Sequence, residues 1–408
     1  MHRSPSTDLP ARPRRFRPWL PLLAATLLGL AGCAAPRTPY TEADLRGAQP
    51  VVPNSRTFGD ALDPRFAPGV RTAFARRDAT YLALSGGGGD GAFGAGILNG
   101  WSESGRRPRF TVVSGVSTGA LIAPFAFLGS AYDPVLKEIY TSGIAESLLQ
   151  SPDPFRALLG SSVFSDERLR ELVARYVTPE LLAEIAAERT RGRYLFVVTT
   201  NLDAQRPVLW DLGLIAAEGT PRSQQLFRDT LVASASIPAV FPPVLIDATK
   251  PDGGSFQEMH VDGTITTSVF TLPRGVLWSD RVGPRVPAGT LYVLMNAKVD
   301  TDFQLVANTT AAIGSRSVAT LIKNGSRADL VATWRAAQAR GIGFNVAAIG
   351  PEMQVEGGAG FDTAYMRRLY ANGEARGRTG RFWASSPPRP LSDPTVAAAG
   401  KPPVLGPD

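Results

Sequence analysis

Residues 80–119, TYLALSGGGGDGAFGAGILNGWSESGRRPRFTVVSGVSTG, decide the fold, because they contain one pattern twice. Residues 80–85 (TYLALS) form a short apolar run that stops at four glycines, and residues 110–114 (FTVVS) form another that stops at Gly115. Apolar runs of that length bounded by glycine read as buried strands feeding into turns. Between them, residues 92–104 carry Phe93, Ile97, Leu98 and Trp101 at helical spacing. After the second run, Thr118–Leu128 is an apolar helix candidate in which Pro124 either kinks the chain or sits where a missing N–H is tolerated.

The same alternation continues downstream. Residues 165–176 and 178–188 are amphipathic helix candidates, the second opening with a cap residue and then proline, Thr178-Pro179-Glu180. Residues 194–200 (YLFVVTT) and 290–296 (TLYVLMN) are strand-like, and residues 326–340 read as a helix with a capping box, Ser326 and Asp329, ended by Gly341. Strands alternating with helices imply an α/β fold with a mostly parallel central sheet and helices on both faces.

Composition sets the outer bounds. The chain has 408 residues, 44% hydrophobic and 19% charged, which is ordinary for a folded domain. The formal charge of +7 is concentrated at the N-terminus, where Arg3, Arg12, Arg14, Arg15 and Arg17 against Asp8 leave the remainder at only +3. No Lys/Arg run with interleaved aromatics follows, so no nucleic-acid partner is expected. With one cysteine and two histidines, a disulfide framework and a Cys/His zinc cluster are excluded by count, and no metal or organic cofactor is implied.

The N-terminus reads as an address. A basic region at residues 12–17 precedes a 12-residue apolar run, WLPLLAATLLGL, too short to span a bilayer but suited to a signal-peptide core. It ends Leu30-Ala31-Gly32-Cys33, which resembles the bacterial lipobox and marks Cys33, the lone cysteine, as the lipidated residue. Four divisions are therefore expected: a lipoprotein signal peptide (1–32), a tether without sustained periodicity (33–77), a catalytic domain (78–384) and a disordered Pro/Ala-rich tail (385–408). The expected location is the cell envelope, lipid-anchored, with the outer membrane favoured because Ala34 is not the aspartate of inner-membrane retention.

Two glycine turns carry the chemistry. Gly115-Val116-Ser117-Thr118-Gly119 is G-x-S-x-G between a strand and a helix, the context in which a sharp turn exposes a nucleophilic hydroxyl. Thirty residues earlier, Gly86-Gly87-Gly88-Gly89-Asp90-Gly91 lies in the same context, and its amides can converge on a negative oxygen. Phosphate binding and an oxyanion hole both use such a loop. The phosphate version lacks its Lys-Ser/Thr ending, and the dinucleotide pattern of Gly86, Gly88 and Gly91 leaves the serine turn unexplained.

Four pieces in order now resemble the patatin-like phospholipase family: the glycine loop running into AFGAGIL, GVSTG running into ALIAPFA, residues 233–244 (ASASIPAVFPPV), and Asp262-Gly263 in HVDG. The resemblance implies a Ser-Asp dyad, with Ser117 as nucleophile, Asp262 as base and Gly87, Gly88 and Gly89 as oxyanion donors. It implies an acyl-ester lipid substrate such as a membrane phospholipid. Two positions depart from the family pattern: Asp90 stands where Arg or Lys is usual, and Thr264 follows Gly263 where Gly or Ala is usual.

The mature chain would keep only His260, two residues before Asp262, so that in a strand both point to one side and neither stands behind the other as orienter. His260 is accordingly expected to be a hydrogen-bonded strand residue. The rival readings are a His-dependent esterase acting on soluble esters and a non-enzymatic envelope lipoprotein that keeps the fold, the latter favoured by Asp90. The apolar residues of 233–244 are expected in the core rather than in a lipid-facing cleft.

Overall fold

The computed structural model describes residues 37–61, 66–68, 76, 78–149, 162–271, 289–353 and 361–388. The expected signal peptide, Cys33 and the tail from residue 389 lie outside the described residues.

Both apolar runs of the deciding stretch are strands, β3 (Thr80–Leu84) and β4 (Val112–Val116), and both are buried along almost their whole length. They pair in parallel, with Tyr81 opposite Val112 and Leu84 opposite Gly115. Three more strands complete a parallel core: β5 (Tyr194–Asn201) beside β4, β9 (Thr290–Lys298) beside β3, and β10 (Gly343–Ile349) beside β9. Continuous apolar sequence suits these strands because helices cover both of their faces. On one face pack the helices Gly91–Glu103, Thr118–Leu128, Pro221–Ser234 and Thr363–Arg378; on the other, the C-terminal half of Thr310–Arg340 adds Leu330 and Ala337 to a second buried cluster.

The sheet grows antiparallel beyond β5, which the sequence reading did not anticipate. β6 (Arg206–Asp211) and β8 (Ser255–Asp262) both pair antiparallel with β5, and β7 (Val244–Thr249) pairs antiparallel with β8. β6 faces Phe196–Asn201 along one edge of β5. The other edge is shared: β4 occupies it up to Val116 opposite Val198, and β8 takes over with Asp262 opposite Thr199. Since β4 runs parallel to β5 and β8 runs against it, the two strands meet end to end. Their last residues lead directly into Ser117 and Gly263.

Within the stretch expected to be a tether, residues 37–61 are structured. β1 (Gln49–Pro50) pairs with β7 and β2 (Arg56–Phe58) pairs with β6. Arg37 ion-pairs with Asp203, the Tyr40 ring packs 4.3 Å from that of Phe256, and Val52 is buried in the core. Strands of two or three residues are too short to show a period, so composition alone marked this segment as loop.

One boundary is corrected outright. The helix expected to begin at Ser326 begins at Thr310, with Thr309 as its cap. Ser326 sits mid-helix with its hydroxyl bonded back to the Ile322 carbonyl, and Asp329 accepts from the Ser268 amide instead of closing a capping box. The Thr178-Pro179 start is as expected: Thr178 Oγ1 accepts from the Leu181 amide, and the helix runs Pro179–Thr190.

Candidate active site

Ser117 follows β4 and caps the Thr118–Leu128 helix, with φ 55° and ψ −125°. A non-glycine residue with positive φ stores ~1–3 kcal/mol of strain, so the surrounding structure has to enforce it. The two flanking glycines show how. A Cβ on Gly115 would lie 2.3 Å from the Gly119 carbonyl oxygen, and one on Gly119 would lie 2.5 Å from that of Leu84. Strand and helix thus approach too closely for any side chain, and the turn between them has one shape. Ser234, at the end of its helix, fixes it further: its hydroxyl accepts from the Ser117 amide at 3.0 Å and donates to the Val198 carbonyl at 2.7 Å.

Asp262 ends β8, and its backbone amide donates to the Ser236 carbonyl. Ser117 Oγ donates to Asp262 Oδ2 at 2.6 Å. The other carboxylate oxygen, Oδ1, accepts from the Thr264 amide at 2.8 Å and from Thr264 Oγ1 at 2.7 Å. Asp262 is fully buried and Ser117 is 3% exposed. Burial raises the Asp262 pKa to about 6, against the opposing pull of the hydrogen bonds from Ser117 and Thr264. A carboxylate in that range is a stronger base than an ordinary aspartate and is still ionised at neutral pH.

The glycine loop lies against this pair. A Cβ on Gly86 would stand 2.2 Å from Thr264 Cγ2 and 3.1 Å from Ser117 Cβ; one on Gly87 would stand 1.5 Å from the Asn296 carbonyl oxygen. Gly91 is packed on the Thr118 hydroxyl and Gly263 on the Val198 carbonyl in the same manner. The loop forms a single 3-10 turn, Gly88–Asp90, before the Gly91–Glu103 helix, with Gly88 at φ 57°. The Gly86 amide donates to the Ser268 carbonyl and that of Asp90 to Gly87, whereas no described backbone carbonyl accepts from Gly87, Gly88 or Gly89. Those three are the orphan donors of a helix start, where the dipole favours negative charge.

Asp90 is turned to Tyr365, whose hydroxyl donates to Asp90 Oδ1 at 2.8 Å. Burial raises its pKa to about 6. His260 is fully buried with Nδ1 against Thr199 Oγ1 at 2.8 Å and Nε2 against Glu258 Oε2 at 3.2 Å, its ring edge-on to Trp210. Burial lowers its pKa, against the opposing pull of Glu258, and so favours the neutral ring. Of residues 233–244, Phe241 and Val244 are buried in the core, while Pro242 and Pro243 are only partly covered.

The positioning roles of Ser234, Thr264 and Asn296 were missed by sequence reasoning. Asn296 donates its side-chain amide to the Ser85 carbonyl and braces the start of the glycine loop. Ser234 lay in plain view inside ASASIPAVFPPV, but its bond to the Ser117 amide crosses 117 positions and has no local signature. Among the described residues, no group of three or more His, Cys, Asp or Glu could hold a metal ion, and no helix is long and apolar enough to cross a membrane. A groove of about 500 Å³ bordered by Arg37, Tyr40, Leu45, Phe58 and Arg206 shares no residue with the Ser117 site.

Residues 82–273 match the family model of patatin-like phospholipases, and that span contains every one of the glycine-loop, elbow and Asp262 positions. Over that span the chain is similar to patatin-like phospholipases. The crystal structure of VipD from Legionella pneumophila is similar at a TM-score of 0.32 and 14% identity, covering 75% of this chain and 67% of that one. No curated protein matches the chain. The family places the patatin-like domain among lipid acyl hydrolases.

Proposed function

We propose that the patatin-like domain cleaves acyl esters of lipids through an acyl-enzyme on Ser117, with Asp262 as the only base. The observation that carries this reading is the 2.6 Å hydrogen bond from Ser117 Oγ to a buried carboxylate whose pKa lies near 6. Oγ attacks the ester carbonyl carbon as its proton passes to Asp262. The carbonyl π electrons move onto oxygen, where the amides of Gly87, Gly88 and Gly89 stabilise the oxyanion. The intermediate collapses, the C–O bond breaks, and the alcohol leaves with the proton from Asp262. Water then repeats the sequence on the acyl-enzyme, releasing a fatty acid and restoring Ser117.

A His-dependent esterase is disfavoured by the two neighbours of His260, since Thr199 and Glu258 take both ring nitrogens. The turn of Asp90 toward Tyr365 supports an oxyanion site free of that carboxylate, which weakens the non-enzymatic reading. We further propose anchoring through lipidated Cys33 at the cell envelope, the outer membrane favoured, with membrane phospholipid or another acyl-ester lipid as substrate. The test is to incubate the protein and its Ser117→Ala variant with a lipid panel and to measure released fatty acids by mass spectrometry. Release by the wild type and none by the variant is expected; equal release would end the proposal, and failure of a phosphonate probe to label Ser117 would favour a binding protein.

A further inference from the structure

The Thr310–Arg340 helix is two different objects. From Ser326 onward it packs on the sheet, with Ser326, Leu330, Thr333, Ala336 and Ala337 buried. From Thr310 to Gly325 no described residue is buried, so about four turns project from the body. That half contains Gly314, Ser317, Val318 and Thr320, weak helix formers that give an isolated segment little tendency to stay helical.

The projecting half is also apolar. Leu321 is 73% exposed, with Ile313 and Val318 about half exposed, and at 100° per residue the three fall within an arc of about 140°. The loop feeding the helix adds Phe303 at 97% and Leu305 at 88% exposure. These five are the most exposed large apolar side chains among the described residues. The loop is strapped to the helix by cations: Arg316 donates to the Asp302 carbonyl and the Gln304 side chain, Lys323 to the Asp300 carbonyl and the Asp302 carboxylate, and Arg327 to the Val299 carbonyl. Phe303 and Leu305 are therefore displayed on an anchored loop. Residues 303–328 hold Arg316, Lys323 and Arg327 and no acidic residue.

This end of the molecule adjoins the active site. The loop leaves β9 just after Asn296, whose carbonyl abuts Gly87, and the charges of Asp302 and Lys323 both act on Asp90.

We infer that residues 303–325 are a membrane-docking device that seats the patatin-like domain on a bilayer bearing anionic headgroups, with Phe303, Leu305 and Leu321 entering the acyl boundary beside the catalytic pair. An exposed apolar arc beside Lys298, Arg316, Lys323 and Arg327, which outnumber the two carboxylates of Asp300 and Asp302 at the base of the loop, has the chemistry of an interfacial helix. The inference rests on the lipid-hydrolase reading only for its purpose, because docking itself needs no turnover.

The test uses the single cysteine. In the full chain carrying Cys33→Ser and Ser117→Ala, an environment-sensitive fluorophore is placed through Phe303→Cys or, as control, through Asp252→Cys in the exposed turn between β7 and β8. With vesicles of phosphatidylethanolamine and phosphatidylglycerol, the Phe303→Cys label is expected to brighten at least about twofold and shift to the blue, and the control to stay unchanged. Equal response at the two sites overturns the proposal. A blue shift that appears without lipid and grows with protein concentration also overturns it, in favour of a second copy of the chain. In an otherwise wild-type background, Phe303→Asp with Leu305→Asp should reduce vesicle hydrolysis at least about tenfold and leave a soluble short-chain ester unaffected. Loss on both substrates would argue against docking, whereas activity that persists in Ser117→Ala would sink the catalytic reading and leave the fluorescence result standing.

Discussion

Removal of one hydroxyl should move the pH profile of this protein. Asp262 Oδ1 is held by two donors from one residue, the Thr264 amide and Thr264 Oγ1, while Oδ2 takes the Ser117 hydroxyl. Both Thr264 bonds favour the ionised carboxylate and oppose the burial that lifts its pKa to about 6. Thr264→Val deletes Oγ1 and retains a methyl for the contact with Gly86. A hydrogen bond to a charged group contributes ~1.5–3 kcal/mol, and since the amide keeps the same oxygen partly satisfied, the lower end applies, which is about one pKa unit. The base would then titrate near 7. At pH 6 its ionised fraction would fall from about half to about a tenth, so kcat/KM should drop about fivefold there and be nearly unchanged at pH 9. The assay is kcat/KM for a soluble nitrophenyl ester between pH 4.5 and 9, with Thr264→Ser expected to restore the wild-type limb. A Thr264→Val profile depressed equally at every pH, or not displaced at all, would refute the idea that this hydroxyl tunes the base.

Other consequences are as direct. Asp262→Asn should cost about 10²–10⁴ in rate as a lost general base, whereas His260→Ala, once its folding is verified by circular dichroism, should lose less than about tenfold; the reverse order would make this a histidine-dependent esterase. Because burial raises the Asp90 pKa from 3.8 to about 6, the folded state binds that proton more tightly than the unfolded chain, so the stability it contributes is present below pH 4 and lost between 4 and 6. Asp90→Asn keeps an acceptor for Tyr365 and should match the wild type in urea at pH 4 but exceed it by ~1–3 kcal/mol at pH 8; equal difference at both pH values would disprove the titration argument. Gly96→Ala should destabilise by ~1–3 kcal/mol, since its Cβ would meet the Tyr370 carbonyl oxygen at 2.1 Å, while Gly314→Ala, with nothing within 4 Å, should stabilise by up to about 1 kcal/mol. Metabolic labelling with an alkyne fatty acid should mark the wild type and not Cys33→Ala; equal labelling would remove the anchor.

What the sequence revealed follows the range of the interactions. β3, β4 and the turns after them were legible because a buried parallel strand is an unbroken apolar run and its glycine turn interrupts it sharply. The start at Thr178-Pro179 was legible because a cap acts within three residues. By contrast, the β4 to β8 junction depends on which edge of β5 each strand occupies, and no local pattern records an edge. Gly96 and Gly100 face the backbone of Tyr370 and Glu374, and Gly373 and Gly377 face that of Phe93 and Ile97. Two glycines four apart on each of two helices were a usable signal of close helix packing, but it needed the partner helix to be known. Ser326 with Asp329 fitted a capping box by spacing, yet Asp329 serves the Ser268 amide across 61 positions.

In the proposed mechanism the site works without a histidine because the sheet performs the histidine's task. An ordinary aspartate is too weak a base for a serine hydroxyl, and an imidazole normally bridges the difference. Here β8 abuts β4 along one edge of β5, which brings the buried Asp262 carboxylate to the serine, and desolvation raises its pKa toward the range an imidazole would supply. The cost is a buried charge, which must be held by donors that do not move. Thr264 provides two of them on the oxygen that faces away from Ser117, and Ser234 and Ser236 tie the two strand ends to one helix terminus. On this argument the residue after Gly263 sets how acidic a medium the enzyme tolerates. Threonine at that position should extend activity to lower pH than glycine or alanine would, because its hydroxyl donates to Asp262 Oδ1 and favours the ionised carboxylate.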